Sequence, residues 1–257
     1  MREERDSSPE VCLRIAAAGD IHCSEARRSE IRRSLGTLNG LADLVLLAGD
    51  LTAVGEPEEG AVLADACAAL EVPVFAVLGN HDWHANRSDE LVSVLRSGGV
   101  RVLDRSCEVC DVEGLEVGIV GVKGFVGGFP GSHLPDFGEP LLRRVYHETS
   151  LEVEALDSGL REIAQCPARI VLMHYSPSEE TISGEAPGIW GYLGSDRLAA
   201  PIAEHEPDLV VHGHAHSGTF QGAIGPVPVY NVSVPVIGQE FWLFELDVPT
   251  PARTPIH

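Results

Sequence analysis

Basic residues are scarce in this chain: 18 Lys and Arg stand against 39 Asp and Glu over 257 residues, a formal net charge of −21. A surface of that sign repels phosphate backbones and anionic lipid, so neither nucleic acid nor a membrane is an expected partner. Only "EARRSEIRR" and "LLRRVY" approach the basic clustering that tracking along nucleic acid needs. A small phosphorylated substrate is not excluded, because bound cations reverse the field locally. Long apolar runs are missing too. The longest, such as "LVLLAG", have the length of a buried strand rather than of a bilayer span. The opening "MREERDSSPE" is charged and carries none of the apolar stretch of a signal peptide, which makes the cytoplasm the expected compartment.

The six cysteines, at 12, 23, 67, 107, 110 and 166, lack the density of a secreted disulfide scaffold. Cys107 and Cys110 form a C-x-x-C, which alone reads as a redox pair or half a zinc site. It has no second C-x-x-C to complete it and lies between strand-like pieces rather than at a helix start, so reduced structural thiols are expected. Linkers, low-complexity tracts and internal repeats are also missing, and one domain over residues 1–257 is the simplest organisation. The 44% hydrophobic and 22% charged composition is that of a globular chain, and the length suffices for a substantial core.

What is present alternates. "LRIAAAGD", "ADLVLLAGD" and "VPVFAVLGNHD" read as buried strands, separated by helix-like "SEARRSEIRRSLGTL" and "EPEEGAVLADACAAL" and followed by "SDELVSVLRSGG". Such alternation predicts β-α-β units and a largely parallel sheet. "CEVCDVEGLEVGIVGV" reads as a hairpin turning near Glu113-Gly114. Residues 123–140 form a Gly-, Phe- and Pro-rich stretch without periodicity, a long loop of the kind that is more often functional. A helix is predicted over 150–164, the strand "ARIVLMH", a second irregular stretch over 175–194, and a helix over 196–205. The strands "PDLVVHGH", "VPVYNVSV" and "EFWLFELDV" close the chain.

The polar residues fall at the ends of the buried strands: Asp20 and His22 in "AAAGDIHCS", Asp50 in "LLAGDLT", Asn80 and His81 in "VLGNHDW", His174 in "VLMHYSP", His214 and His216 in "VVHGHAHS". In α/β sheets the carboxyl ends of strands are where ligands bind, so these groups are expected on one rim. Singly, each has a plainer reading: His22 or His174 as a hydrogen-bonded structural histidine, Asp50 as a cap or turn former, Asn80 as a turn residue. Those readings must all hold at once, each at a strand end. Carboxylate, imidazole and amide ligands without thiolate suit Mn, Fe, Zn or Ni in an open site. Seven ligands exceed the needs of one ion and match two sharing a carboxylate, which can clamp the attacking and leaving oxygens of an in-line displacement.

Taken in order, "GDIH", "GD", "GNHD", a lone His and "GHAH" resemble the calcineurin-like metallophosphoesterase superfamily over residues 19 to 216. The resemblance implies an α/β fold of four layers, α-β-β-α, in which two facing mixed β-sheets are flanked by helices. It implies two divalent or trivalent metal ions, one on Asp20, His22, Asp50 and His216, the other on Asn80, His174 and His214 with Asp50 bridging. It further implies attack by a metal-bridging hydroxide on phosphorus, with His81 as proton donor to the leaving group and Asp82 orienting His81 by a hydrogen bond. The expected activity is hydrolysis of a small-molecule phosphodiester or phosphomonoester, a cyclic nucleotide or similar compound among them.

Alternatives stay in view. The superfamily's protein phosphatases carry Asp-Arg-Gly after the metal-binding aspartate and Glu after "GNH". This chain reads "GDLTAVGEP" and "GNHD", which disfavours phosphoprotein. Metal amidohydrolases place His-x-His early and Asp late, opposite to the order here. A non-catalytic scaffold of the same fold, binding a protein partner, is the reading from another class, although it would not need to keep all seven ligands and His81. His212 reads as structural, His205 as a surface or capping residue near a helix end, and His84 as an ordinary loop residue, with a place at the border of the site as its alternative. His133, Arg143, Arg144, Tyr146 and His147 lie in or near the long loop, while Trp190 and Tyr192 are candidates to stack on a substrate ring.

Overall fold

The computed structural model describes residues 10–249. Strands β1 (Glu10–Ala18), β2 (Leu44–Ala48), β3 (Val74–Val77) and β4 (Val100–Val102) run parallel, joined by α1 (Arg28–Gly36), α2 (Pro57–Cys67) and α3 (Ser88–Ser97). The predicted β-α-β alternation is therefore realised. β5 (Ser106–Val112) and β6 (Leu115–Gly121) form the predicted hairpin, and Glu113 and Gly114 sit at φ 54° and 89° in its turn. Positive φ at both central residues is the turn geometry that follows strand twist.

Next come α4 (Pro140–Glu162), β7 (Ala168–Leu172), α5 (Glu179–Ile182), α6 (Trp190–Leu193) and α7 (Ala199–His205). The chain continues through β8 (Leu209–His212), β9 (Gln221–Ile224), β10 (Val227–Asn231), α8 (Val234–Ile237) and β11 (Trp242–Pro249). Two sheets result, ordered β11-β1-β2-β3-β4 and β5-β6-β7-β8-β10-β9. The first is mixed because β11 pairs antiparallel to β1. In the second, β5 and β9 run antiparallel at the two edges.

Three apolar layers hold the sheets and helices together. Ile15, Leu46, Phe75, Val117, Ile170 and Val211 pack between the sheets. Ile31, Leu35, Leu63, Leu91 and Leu95 seat α1, α2 and α3 on the outer face of the first sheet. Leu156, Leu160, Leu198 and Ile202 seat α4 and α7 on the outer face of the second. The order is α-β-β-α, as the resemblance implies. Strands buried on both faces, such as Leu44–Ala48, carry unbroken apolar runs for that reason.

Some boundaries differ from expectation. α4 begins at Pro140 rather than near residue 150, since an extended Glu139 followed by proline at the first helical position starts a helix. Arg143, Arg144, Tyr146 and His147 thus lie on a helix and not in a loop. β9 is an extra four-residue strand, too short and too poor in alternation to read from "QGAI". "VPVYNVSV" stops being a strand at Asn231, and α8 starts at Val234 with Pro235 in its first turn. Cys107 and Cys110, three apart on β5, face opposite sides of the sheet. Cys107 packs toward α4 and Cys110 between the sheets, both as free thiols whose pKa is raised first by burial. That arrangement fits neither a redox pair nor half a zinc site.

No helix among the described residues is long and apolar enough to cross a membrane.

Candidate metal centre

All seven predicted ligands stand at the carboxyl ends of β1, β2, β3, β7 and β8, where the two sheets meet. The local backbone is unusual there. Eight described non-glycine residues have positive φ, and four are predicted ligands: Asp20 at 57°, His22 at 47°, Asp50 at 49° and His214 at 71°. Left-handed backbone at residues bearing a Cβ costs on the order of 1–3 kcal/mol each and persists where surrounding structure imposes it. Here the imposed turns throw the side chains inward. Gly49 before Asp50 has φ 79°, and a Cβ there would lie 2.5 Å from His174 Nδ1, so the glycine lets the β2 turn and the His174 ring share one space.

Ligand atoms of Asp20, His22 and His216 fall within 4.8 Å of one another, as do those of Asp50, His174 and His214, and of His22, Asp50 and His81. Asn80 Oδ1 joins the second group at 3.0 Å from His174 Nε2. The structure thus gathers the seven into two adjoining sets. Asp50 belongs to the second set and also neighbours His22 of the first. His81 lies against them, its ring centroid 4.6 Å from that of His22.

The imidazoles are tied from behind. His174 Nδ1 donates to the Ala48 carbonyl at 2.9 Å, His81 Nδ1 to the Ala53 carbonyl at 2.8 Å, and His22 Nδ1 to the Thr52 carbonyl at 3.4 Å. His214 Nε2 donates to the Tyr192 carbonyl at 3.1 Å. A carbonyl accepts only, so each bond fixes the tautomer and leaves the other ring nitrogen as a lone pair. For His174 that lone pair, on Nε2, faces Asp50 Oδ1 at 3.4 Å and the Asn80 oxygen at 3.0 Å. Acceptor faces acceptor, an arrangement a cation resolves and a proton on a neutral ring does not. Burial pushes the His174 pKa down, and pushes that of His214 down to about 4, so both rings are neutral at pH 7 and ready to ligate.

The carboxylates make the same demand. Burial, then the charge of Asp20, pushes Asp50 up. Burial pushes Asp20 up as well, but the His216 Nε2–H bond at 2.9 Å, the charge of that ring and the His214 N–H at 2.9 Å outweigh it and leave a pKa of about 2. Two buried carboxylates of like charge, with the His174 lone pair against Asp50, are a poor arrangement until positive charge enters. The donor set therefore fits a pair of metal ions.

Asp82 does not do what the resemblance implies. Its oxygens accept from the N–H groups of Leu51 (3.1 Å), Gly79 (2.8 Å) and Thr52 (2.9 Å) and from the Thr52 hydroxyl (2.6 Å). His81 is oriented by the Ala53 carbonyl instead. Asp82, fully buried, ties the loop after β2 to the loop after β3, so it holds Asp50 and Asn80 in place rather than aiming the imidazole.

The remaining candidates separate clearly. His212 is buried, with its Nε2 2.8 Å from the Thr181 hydroxyl, and keeps its structural reading. His205 pairs with Asp157 at 2.8 Å and His133 with Asp196 at 2.7 Å, both outside the cluster. The His84 ring lies 4.4 Å from that of His81, which favours the alternative reading, a place at the border of the site. The two irregular stretches wall it together: Gly127 and Gly128 donate to the Gly191 and Gly194 carbonyls at 3.2 and 2.8 Å. Trp190 Nε1 donates to the Glu185 carbonyl at 3.1 Å, while the Tyr192 side chain is exposed.

Lys123 and Tyr175 also belong here. The Tyr175 ring lies 4.4 Å from His214 and 5.4 Å from His174, and Lys123 Nζ lies 5.6 Å from the Tyr175 ring. No motif marks Lys123, but composition does: among the 18 Lys and Arg of the sequence it is the one lysine.

With this geometry in hand, the family is clear. The calcineurin-like phosphoesterase profile matches residues 13–218, and the chain belongs to that family. Among curated relatives, purple acid phosphatase 4 of Arabidopsis thaliana is 29% identical over 152 residues, covering 58% of this chain and 42% of that protein. Purple acid phosphatase 3 of the same plant is 27% identical over 58% of this chain and 39% of its own. The match thus spans about two fifths of either relative. Among solved structures, the phosphopantetheinyl hydrolase of Mycobacterium tuberculosis superposes with TM-score 0.64 at 16% identity, covering 97% of this chain and 99% of that one. A 5'-nucleotidase of Staphylococcus aureus, described as putative, gives 0.56 at 15% identity over 96% of this chain and 56% of its own. At such identities the shared property is the fold.

Proposed function

We propose that this protein is a two-metal phosphoester hydrolase acting on a small phosphorylated molecule, a phosphodiester or phosphomonoester. Asp20, His22, Asp50 and His216 would hold one ion, and Asp50, Asn80, His174 and His214 the other. The observation that carries this reading is the proton inventory at the cluster: the His174 lone pair aimed at the Asp50 and Asn80 oxygens, beside the Asp20 and Asp50 carboxylates. An oxygen and nitrogen set without thiolate suits Mn, Fe, Zn or Ni.

When bound, such ions supply Lewis acidity at the phosphoryl oxygens and lower the pKa of water from about 15.7 toward ~7. The chain's own residues do the rest. His81 has its Nδ1 committed to the Ala53 carbonyl, so Nε2, 3.9 Å from Asp50 Oδ2, is the atom free to carry a proton to the leaving oxygen of an ester seated at Asp50. The His81 N–H donates to Asp50 Oδ1 at 2.8 Å, which couples the position of the donor to that of the carboxylate. Asp82 keeps both loops in register beneath them. A small ester is favoured over phosphoprotein by the absence of Asp-Arg-Gly after Asp50, and over nucleic acid by the net charge of −21.

The test is hydrolysis by manganese-loaded protein of p-nitrophenyl phosphate, bis-p-nitrophenyl phosphate and a panel of cyclic nucleotides. Cleavage of at least one is expected, and Asp50→Ala should lose both turnover and metal. Two bound ions with no turnover on any of these would assign the fold a scaffold role. Equal turnover by Asp50→Ala would remove the mechanism.

A further inference from the structure

Beside the cluster lies a cavity of about 420 Å³ whose wall includes Asn80, Trp83, Lys123, Phe125 and Tyr175. It shares Asn80 with the proposed second ion, and Trp83 ends the short turn that begins at His81. A group attached to phosphorus on the side of the proton donor therefore has this cavity to enter.

Lys123 is its unusual wall residue. Nζ stands 4.4 Å from the Phe125 ring centroid, 5.6 Å from Tyr175 and 5.7 Å from Trp83. Three rings within about 6 Å hold an ammonium by its attraction to their faces and strip part of its water. No described carboxylate lies within ion-pairing distance of it. The other cation on the wall, Arg105, is occupied: it pairs with Glu148, and with Glu152 at 2.8 Å. Glu148 and Glu152 also line the cavity and their charge reaches Lys123, but both are bonded to Arg105, and the Lys123 ammonium has no ion pair of its own among the described residues.

We propose that Lys123 is a specificity-determining residue that binds a second anionic group of the substrate, a phosphate or carboxylate lying beyond the scissile phosphoryl group. The inference rests on the reading that the scissile phosphoryl group seats at Asp50. A partly desolvated ammonium gives a charge-assisted bond stronger than one on an open surface. An adjoining cavity of about 450 Å³ shares Trp83 with this one and gives room for the remainder of a two-part substrate.

A non-hydrolysable pair tests this: propylphosphonate and propane-1,3-bisphosphonate, which differ by one anion, titrated calorimetrically into the manganese-loaded protein. The bisphosphonate should bind the wild type tenfold or more tightly relative to the monophosphonate. Lys123→Met, whose thioether packs among aromatic rings, should lose that preference, and Lys123→Arg should keep most of it. Metal content and thermal denaturation of both variants distinguish lost anion binding from lost fold, and an unfolded Lys123→Met leaves the decision to Lys123→Gln. Equal affinities of the wild type for the two probes would overturn the proposal, as would a preference that survives in a folded Lys123→Met. An equal loss of both probes would instead put Lys123 on the scissile group and overturn it too. The outcomes stay separate from those of the hydrolase reading: a wild type that turns over esters yet shows no second-anion preference sinks this inference alone. A Lys123-dependent preference without turnover of any ester sinks the hydrolase reading and leaves the anion site standing.

Discussion

At the scale of single residues, the site depends on which nitrogen of each imidazole is free. His81 is the clearest case, because the Ala53 carbonyl takes Nδ1 and leaves Nε2 beside Asp50. His81→Ala should retain both ions and lose roughly 10²–10⁴-fold in rate on esters with a poor leaving group, the usual contribution of a positioned acid. The loss should be least with p-nitrophenolate, which departs without a proton. Steady-state rates across a series of leaving groups check this, and a uniform loss would assign His81 another role. The seven clustered side chains were legible in sequence as predicted ligands because they follow the ends of apolar runs, and a turn after a buried strand has few reasons to carry Asp or His other than chemistry. Asp82 was misread for a physical reason. Adjacent residues in a tight turn point apart, so its closeness to His81 along the chain said little about their side chains, and three donors on the loop after β2, with the Gly79 N–H of its own loop, claim it. Lys123 has no motif around it, and its meaning comes from three rings supplied by separate loops.

At the scale of elements, strand ends and the glycines beside them set the geometry. Gly49, at φ 79°, stands where a Cβ would meet the His174 ring at 2.5 Å. Gly49→Ala should combine a strained turn of about 1–3 kcal/mol with a displaced His174. Thermal denaturation should show a fall in Tm of roughly 2–4 °C per kcal/mol for a domain near this size, together with weaker metal binding. Unchanged metal affinity in that variant would mean that the β2 turn does not position His174. The β-α-β half was readable because buried parallel strands are continuous apolar runs between amphipathic helices, as in Leu44–Ala48 and Ser88–Ser97. The start of α4 was not, since a helix opening on Pro140 after a Gly- and Pro-rich stretch resembles the loop before it. β9 owes its existence to pairing with β10 rather than to any pattern of its own.

At the scale of the whole molecule, two sheets share one apolar interior, and their strand ends converge on a single rim. The 13–218 span of family similarity covers both sheets and every predicted ligand, so the centre is assembled from both halves of the sandwich. The net charge of −21 makes a small ligand that arrives with bound cations a better match than a polyanion. Anomalous scattering from a crystal grown with manganese addresses the central claim most directly. Two peaks are predicted, one bounded by Asp20, His22 and His216 and the other by Asn80, His174 and His214, with Asp50 between them. A single peak away from Asp50, or none at saturating manganese, would contradict it.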